Sequence, residues 1–154
     1  MSRRQAREFA LQVLFHTDIG RADPESALSQ AFSRELDPGV VREPLQEKDA
    51  QYAKALVRGT WAQREEIDHL ISIYAHDWSV GRMAGVDRNI LRLAIYEIMH
   101  VNDVPDGVAA DEAVELAKLF SSAEASKFIN GILGSVIRGI EADKGEATPV
   151  PPEA

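Results

Sequence analysis

The residues best suited to chemistry in this sequence are three arginines near its start. Arg3, Arg4 and Arg7 fall within an arc of about 100° on a predicted first helix, beside its apolar face. Guanidinium groups on one arc could contact the phosphates of a single nucleic acid strand together. The alternative is a solvated helix face, or pairing of the arginines with carboxylates elsewhere in this acidic chain.

A second candidate for nucleic acid binding is Phe128, with Lys127 beside it. In the predicted last helix Phe128 lies about 110° from the centre of the apolar stripe, at the edge of the buried face. An unpaired base could stack on an aromatic ring in this position. Packing of the ring against a neighbouring helix is the structural alternative.

Residues typical of catalysis or metal binding form no convincing pattern. His69 and His76 are seven residues apart with no further ligand pattern, and Glu65, Glu66 and Asp68 have the spacing of a solvated helix side. The sequence has no phosphate-binding glycine loop, no His-Glu-x-x-His motif and no nucleophile elbow. It has no cysteine, which excludes disulfides and zinc-thiolate sites. The sequence therefore predicts a protein that is not an enzyme, with no metal site and no cofactor.

The charge of the chain is unevenly distributed. The 154 residues include 17 Lys and Arg and 25 Asp and Glu, for a net charge of −8. Three arginines against Glu8 give residues 1–16 a charge of +2, which leaves −10 on the remainder. Such an acidic protein should bind RNA poorly by itself, so a second protein is expected to take part.

The elements that must position these residues are helices. Apolar residues recur at spacings of three and four, and strict alternation is lacking, which predicts an all-α fold. A hydrophobic fraction of 45% with no long apolar run indicates a globular protein without a membrane span. The first residues lack the apolar core of a signal peptide, so a cytoplasmic location is expected.

The breaks between helices follow from prolines, glycines and capping residues. The first helix is expected to end between Asp18 and Gly20, and the second to run from Asp23-Pro24 to about Leu36. A third is expected over residues 47–75, with a bend at Gly59. Later helices are expected around residues 90–101 and 109–120, and the last from a capping box at Ser121 and Glu124 to Ile140.

These breaks predict two helical subdomains and a tail. The less periodic segment 77–87 separates residues 1–78 from residues 79–140, and one short helix is expected inside it. Residues 141–154 contain three of the seven prolines and few large apolar side chains. We expect this tail to be disordered.

Four ordered segments resemble the bacterial NusB transcription antitermination factors: residues 3–15, 86–98, 103–105 with 111–118, and 127–133. The resemblance covers residues 3–140. It implies about seven helices packed as two helical bundles. It also implies a function, in which the protein and NusE, itself a ribosomal protein of the small subunit, bind the single-stranded boxA element of nascent RNA. That assembly joins an RNA polymerase complex that resists termination, particularly on ribosomal RNA operons.

The same resemblance implies roles for individual residues. It assigns phosphates to Arg3, Arg4 and Arg7, base stacking to Phe128, and hydrogen bonds from base amino groups to Asp87, with Lys127 as a nearby cation. Two positions depart from some relatives: Gln5 stands where they have another arginine, and Ala125 stands where they have aspartate.

The partner surface is less well specified. Glu112, about 60° from the small-residue face of its helix, and Tyr74, at the end of the long helix, are weak candidates for the NusE contact. A homodimer is possible, and one formed through the arginine helix would cover the RNA surface. The alternative function is a helical protein-interaction adaptor whose RNA binding is weak or secondary.

Overall fold

The computed structural model describes residues 2–35, 45–76 and 79–147. Within them the chain is helical with no strand, so the prediction of an all-α fold is confirmed. None of these helices combines the length and hydrophobicity needed to span a lipid bilayer. The seven α-helices and one short 3-10 helix are α1 (Ser2–Ile19), α2 (Pro24–Glu35), α3 (Glu47–Ala62), α4 (Arg64–Tyr74), the 3-10 helix Val80–Arg82, α5 (Gly85–His100), α6 (Asp106–Phe120) and α7 (Ala123–Ala147).

Helix α5 is the centre of the molecule. It packs against α1, α3, α4, α6 and α7. Ile90, Leu91, Leu93 and Ile95 are all buried, and the remaining side of the helix is covered at the buried polar residues Asn89 and Arg92. One continuous core runs from α1 to α7. The division at residue 78 stays a prediction, and the short helix expected near that boundary is the 3-10 helix Val80–Arg82.

Side-chain caps mark the starts of α2 and α7. Asp23 caps α2 as predicted, because its Oδ2 accepts a hydrogen bond from the backbone N–H of Ser26 at 3.1 Å. For α7 the predicted capping residue is wrong by one position. Ser122, rather than Ser121, accepts the backbone N–H of Ala125 at 2.9 Å.

Two predicted boundaries are also wrong. The helix expected over residues 47–75 is two helices, which meet at Gln63 instead of bending at Gly59. Helix α7 continues to Ala147, so residues 141–147 are helical where disorder was expected. Residues 148–154 and the predicted end of the second helix at Leu36 lie outside the described residues.

Gly59 has a packing role instead. A Cβ atom at this position would overlap the ring of Tyr96 on α5. The missing side chain therefore lets α3 and α5 pack closely where Tyr96 crosses between them.

Candidate nucleic-acid interface

Helices α1 and α5 run antiparallel, and this arrangement divides the predicted site residues between two ends. Arg88, near the start of α5, pairs with Asp18 at the end of α1, whereas Glu97 pairs with Arg7 near the start of α1. The ten residues from Asp87 to Glu97 span about 15 Å of helix. The arginines of α1 and the Asp87 region therefore lie at opposite ends of one face-to-face helix pair.

Asp87 and Phe128 line the same groove, between the starts of α5 and α7. The groove has a volume of about 330 Å³. Lys127 is exposed beside Phe128. Phe128 itself is half-buried and packs against the core. The buried part of its ring therefore fills space between helices, which was the structural alternative to base stacking. The groove is lined by Met83, Ala84, Asp87, Ser122, Glu124, Ala125 and Phe128.

The carboxylate of Asp87 is incompletely paired. It lies in the first turn of α5, where the helix dipole favours a negative charge. Its Oδ1 atom is buried, yet it has no hydrogen-bond partner among the residues that the structure describes. Buried polar atoms without a partner are rare. Since Glu124 also lines the groove, two carboxylates there disfavour a phosphate and favour a hydrogen-bond donor such as a base amino group.

An apolar ledge that the sequence analysis missed adjoins this groove. Phe15 and Ile19 on α1 are 37% and 48% exposed. Both approach Gly85, next to the groove residue Ala84. A Cβ on Gly85 would lie 2.7 Å from Ile19 Cδ1 and 3.1 Å from Phe15 Cε2. The sequence does carry a signal for this ledge. Phe15 and Ile19 are large apolar residues one helical turn apart, and both lie outside the buried stripe of α1.

The two exposed arginines of α1 are paired with carboxylates near α6. Arg3 donates a hydrogen bond of 3.0 Å to Asp103, and its guanidinium lies 4.3 Å from the centre of the Tyr52 ring. Arg4 donates to both carboxylate oxygens of Glu112, at 3.0 and 3.3 Å. The hydrogen bond from Arg3 holds the pKa of Asp103 below its ordinary value. Pairing with acidic residues, one of the two interpretations left open above, thus occurs in the free protein.

The structure corrects the assignment of Arg7 to a phosphate. Its side chain is enclosed in the core, with the residue only 4% exposed, and it forms hydrogen bonds of 2.8, 3.1 and 2.9 Å to Glu97. Burial by itself lowers the pKa of Arg7, but the hydrogen bonds and charge of Glu97 outweigh it and raise the pKa. Tyr52 donates a hydrogen bond to the same carboxylate. Arg7 is therefore a buried cation neutralised within the fold.

A second, partly buried network fixes the start of α5 beside Asp87. Asp18 accepts hydrogen bonds from Arg88 at 2.6 Å, Asn89 at 2.8 Å and Arg92 at 3.1 Å. Burial raises the pKa of Asp18, but these donors and their charge lower it by more, so the pKa lies below its ordinary value. Arg92 also binds both oxygens of Asp68 at 2.8 Å, so Asp68 is paired with Arg92 and is not simply part of a solvated side.

The weaker candidates do not gather into a site. His69 is exposed on α4, and His76 lies beyond the end of that helix at Tyr74. Among the described residues there is no group of three metal-ligating side chains. Tyr74 is half-buried against Gly139 of α7, and the Glu112 side chain is only 17% exposed and held by Arg4. Most of the surface of Tyr74 and Glu112, the two proposed partner residues, is therefore buried within this chain.

Comparison with known proteins decides the family. The model of the NusB family matches residues 4–138 of the 154. The chain belongs to the NusB family. It is 58% identical over 145 residues to the transcription antitermination protein NusB of Symbiobacterium thermophilum, covering 94% of this chain and 95% of that one. It is 43% identical over 150 residues to NusB of Desulforamulus reducens, covering 97% and 96% of the two chains.

Solved NusB structures have the same fold. T. maritima NusB superposes with a TM-score of 0.77 at 35% identity, over 88% of this chain and 90% of that chain. A crystal structure of the antitermination factors NusB and NusE in complex with dsRNA gives a TM-score of 0.76 at 27% identity, over 90% and 97%. The groove residues, Arg4 and Arg7 lie within the part matched by the NusB family model, and Arg3 immediately precedes that part.

Proposed function

We propose that this NusB-family protein is a cytoplasmic, non-enzymatic transcription antitermination factor. It binds the boxA element of nascent ribosomal RNA together with NusE and joins the RNA polymerase antitermination complex. The observation that carries the proposal is the groove in which Phe128 stands beside the incompletely paired carboxylate of Asp87. Relatives named as antitermination proteins, and a similar structure that contains NusE and RNA, support it.

The groove is suited to an unpaired base. The exposed edge of Phe128 offers a stacking surface, and Asp87 can accept a hydrogen bond from an exocyclic amino group. Lys127, exposed next to Phe128, is placed for the adjoining phosphate. A base held in a duplex could not enter such a groove without leaving its stack, which favours a single strand.

The strand then has a path along α1. From the groove it passes the ledge of Phe15 and Ile19 and reaches Arg4 and Arg3, about 20 Å away along α1. In this proposal Arg3, Arg4 and Lys127 contact phosphates, Asp87 and Phe128 contact a base, and Arg7 holds the fold. These roles divide positioning contacts from base contacts, as is usual in protein–nucleic acid complexes.

The same charges explain the need for a partner. A net charge of −8 opposes RNA, and the two exposed arginines of α1 are already paired. NusE would supply the additional positive surface and RNA contacts. Tyr74 and Glu112 stay weak proposals for its interface.

The proposal is tested by titrating fluorescently labelled boxA RNA with this protein alone, with NusE alone and with both. We expect the mixture to bind clearly tighter than either protein, and a duplex of the same sequence to bind less well. Equal affinity with and without this protein would support the alternative of an interaction adaptor with little RNA contact. Stronger binding of the duplex would favour the kind of RNA found in the similar NusB–NusE complex.

A further inference from the structure

The arginines proposed to bind phosphates are held by two carboxylates of one segment, the α5–α6 loop and α6. Asp103 lies in the loop and binds Arg3, and Glu112 lies on α6 and binds Arg4. The Arg4 pair uses both oxygens of Glu112, the same two-point geometry with which a guanidinium binds a phosphate. Glu112 is also 4.0 Å from the buried Arg7, which keeps it close to α1.

These contacts compete directly with RNA. A phosphate reaching Arg4 must take the donors that Glu112 now occupies, and it must do so beside the displaced negative charge. The paired side chains remain reachable, since the Arg4 side chain is 50% exposed. Exposed ion pairs are weak and open readily, which describes Arg3–Asp103 on both sides and Arg4–Glu112 on the arginine side, since the Glu112 side chain is only 17% exposed. The arrangement is thus suited to reversible blocking of the arginines, not to holding the fold together.

We propose that Asp103 and Glu112 are autoinhibitory residues, which occupy Arg3 and Arg4 as internal phosphate mimics and thereby restrain RNA binding. The inference rests on the proposed function. Beyond that function, the two carboxylates set how tightly the α1 surface binds RNA. RNA, or a basic protein surface that draws the carboxylates away, would release the arginines.

The experiment compares Glu112→Gln with Asp111→Asn in RNA binding. The two residues are neighbours on α6, and each change removes one negative charge. Asp111, however, is exposed and forms no ion pair among the described residues. Anisotropy of a fluorescein-labelled single-stranded boxA RNA is measured with NusE at a saturating concentration, determined separately for each variant. Glu112→Gln should tighten binding about two- to fivefold beyond Asp111→Asn, the range that the strength of exposed pairs allows.

A variant that lacks the arginine provides the second comparison. In an Arg4→Gln background, Glu112→Gln should have no more effect than Asp111→Asn, because no guanidinium remains to be released. The salt dependence should also steepen by about 0.7 in Glu112→Gln if one more phosphate contact forms on single-stranded RNA. Asp103→Asn should act in the same way through Arg3.

Two results would overturn the inference. Equal effects of Glu112→Gln and Asp111→Asn would mean that only the overall charge matters, and a gain that persists in Arg4→Gln would mean that the pair is not involved. Both results leave the proposed function intact, since they require that the unaltered protein binds the RNA. Failure of the unaltered protein with NusE to bind boxA RNA would overturn the proposed function itself.

Discussion

Arg7 and Glu97 form a buried ion pair that joins α1 to α5 through three hydrogen bonds of 2.8 to 3.1 Å. Tyr52 of α3 donates a further hydrogen bond to the same carboxylate, so three helices meet at this charge. Burial, and then the hydrogen bond to Glu97, raise the pKa of Tyr52, which therefore stays a donor. Two of the three arginines of α1 thus face solvent, and the third belongs to the core.

Arg7→Ala is expected to destabilise the fold and to leave phosphate contacts unchanged. Removing one partner of a buried pair typically costs about 3 to 5 kcal/mol, because the other charge stays buried and unpaired. Urea unfolding should show this loss, whereas Arg4→Ala, at an exposed pair, should change stability far less. The salt slope of RNA binding should fall for Arg4→Ala and not for Arg7→Ala. A salt slope that falls for Arg7→Ala and not for Arg4→Ala would show that Arg7 contacts a phosphate.

The sequence predicted the fold better than it predicted the roles of charged residues. Apolar periodicity identified the helical class because core burial repeats at the helical period. It could not separate Arg7 from Arg3 and Arg4, since the three share one arc of α1. Their difference comes from Glu97, ninety residues from Arg7, which binds Arg7 and neither of the paired arginines Arg3 and Arg4. Such a pairing depends on tertiary packing, which local spacing does not encode.

The predicted bend at Gly59 was wrong for the same reason. Gly59 was expected to bend a helix because glycine is a poor helix former, yet its position is explained by the Tyr96 ring packed against it. The groove was predicted in part: the family resemblance supplied Asp87 and Phe128, which line one groove. The adjoining ledge of Phe15 and Ile19 was missed, because two apolar residues on an outer helix face carry little signal alone.

Asp18 should make the protein sensitive to acid. Its pKa in the folded state lies below the ordinary value of 3.8. Between those two pKa values the unfolded chain binds more protons, so stability falls as the pH drops below about 4. Asp18→Asn should lower the free energy of unfolding at pH 7 by about 2 kcal/mol, through lost charged hydrogen bonds.

The difference between Asp18→Asn and the unaltered protein should shrink as the pH falls, which urea unfolding between pH 7 and pH 2.5 can measure. Asp111→Asn, at an exposed carboxylate, is the matched control and should follow the unaltered protein throughout. A constant difference across the whole range would show that the charge of Asp18 is not what stabilises the start of α5.

Two glycines should respond oppositely to the same substitution. Gly131→Ala on α7 should stabilise the protein by up to about 1 kcal/mol, because alanine favours a helix and the new Cβ would meet nothing within 4 Å beyond its chain neighbours and the backbone of its own helix. Gly59→Ala should destabilise it, since the new Cβ would overlap Tyr96. Thermal unfolding of both variants checks this. Equal shifts of the midpoint would contradict the close contact between α3 and α5.

Phe128→Ala should weaken binding of boxA RNA by about 1 to 3 kcal/mol if a base stacks on the ring. Some stability will also be lost, because the ring is half-buried against the core. The titration therefore has to be made at a temperature where the variant is fully folded. Phe120→Ala, at an exposed aromatic residue on α6 outside the groove, is the control and should bind RNA normally. Intact affinity in Phe128→Ala would leave the ring a purely structural role.

The central claim is that one RNA strand contacts both the groove and the arginines of α1. Photo-cross-linking of boxA RNA with 5-iodouridine at successive positions tests it most directly, in the presence of NusE and with cross-linked peptides identified by mass spectrometry. We predict cross-links in the α7 peptide that contains Phe128 and, from other positions of the same RNA, in the α1 peptide that contains Arg3 and Arg4. Cross-links confined to α2 and α3, with neither of those peptides modified, would contradict the claim.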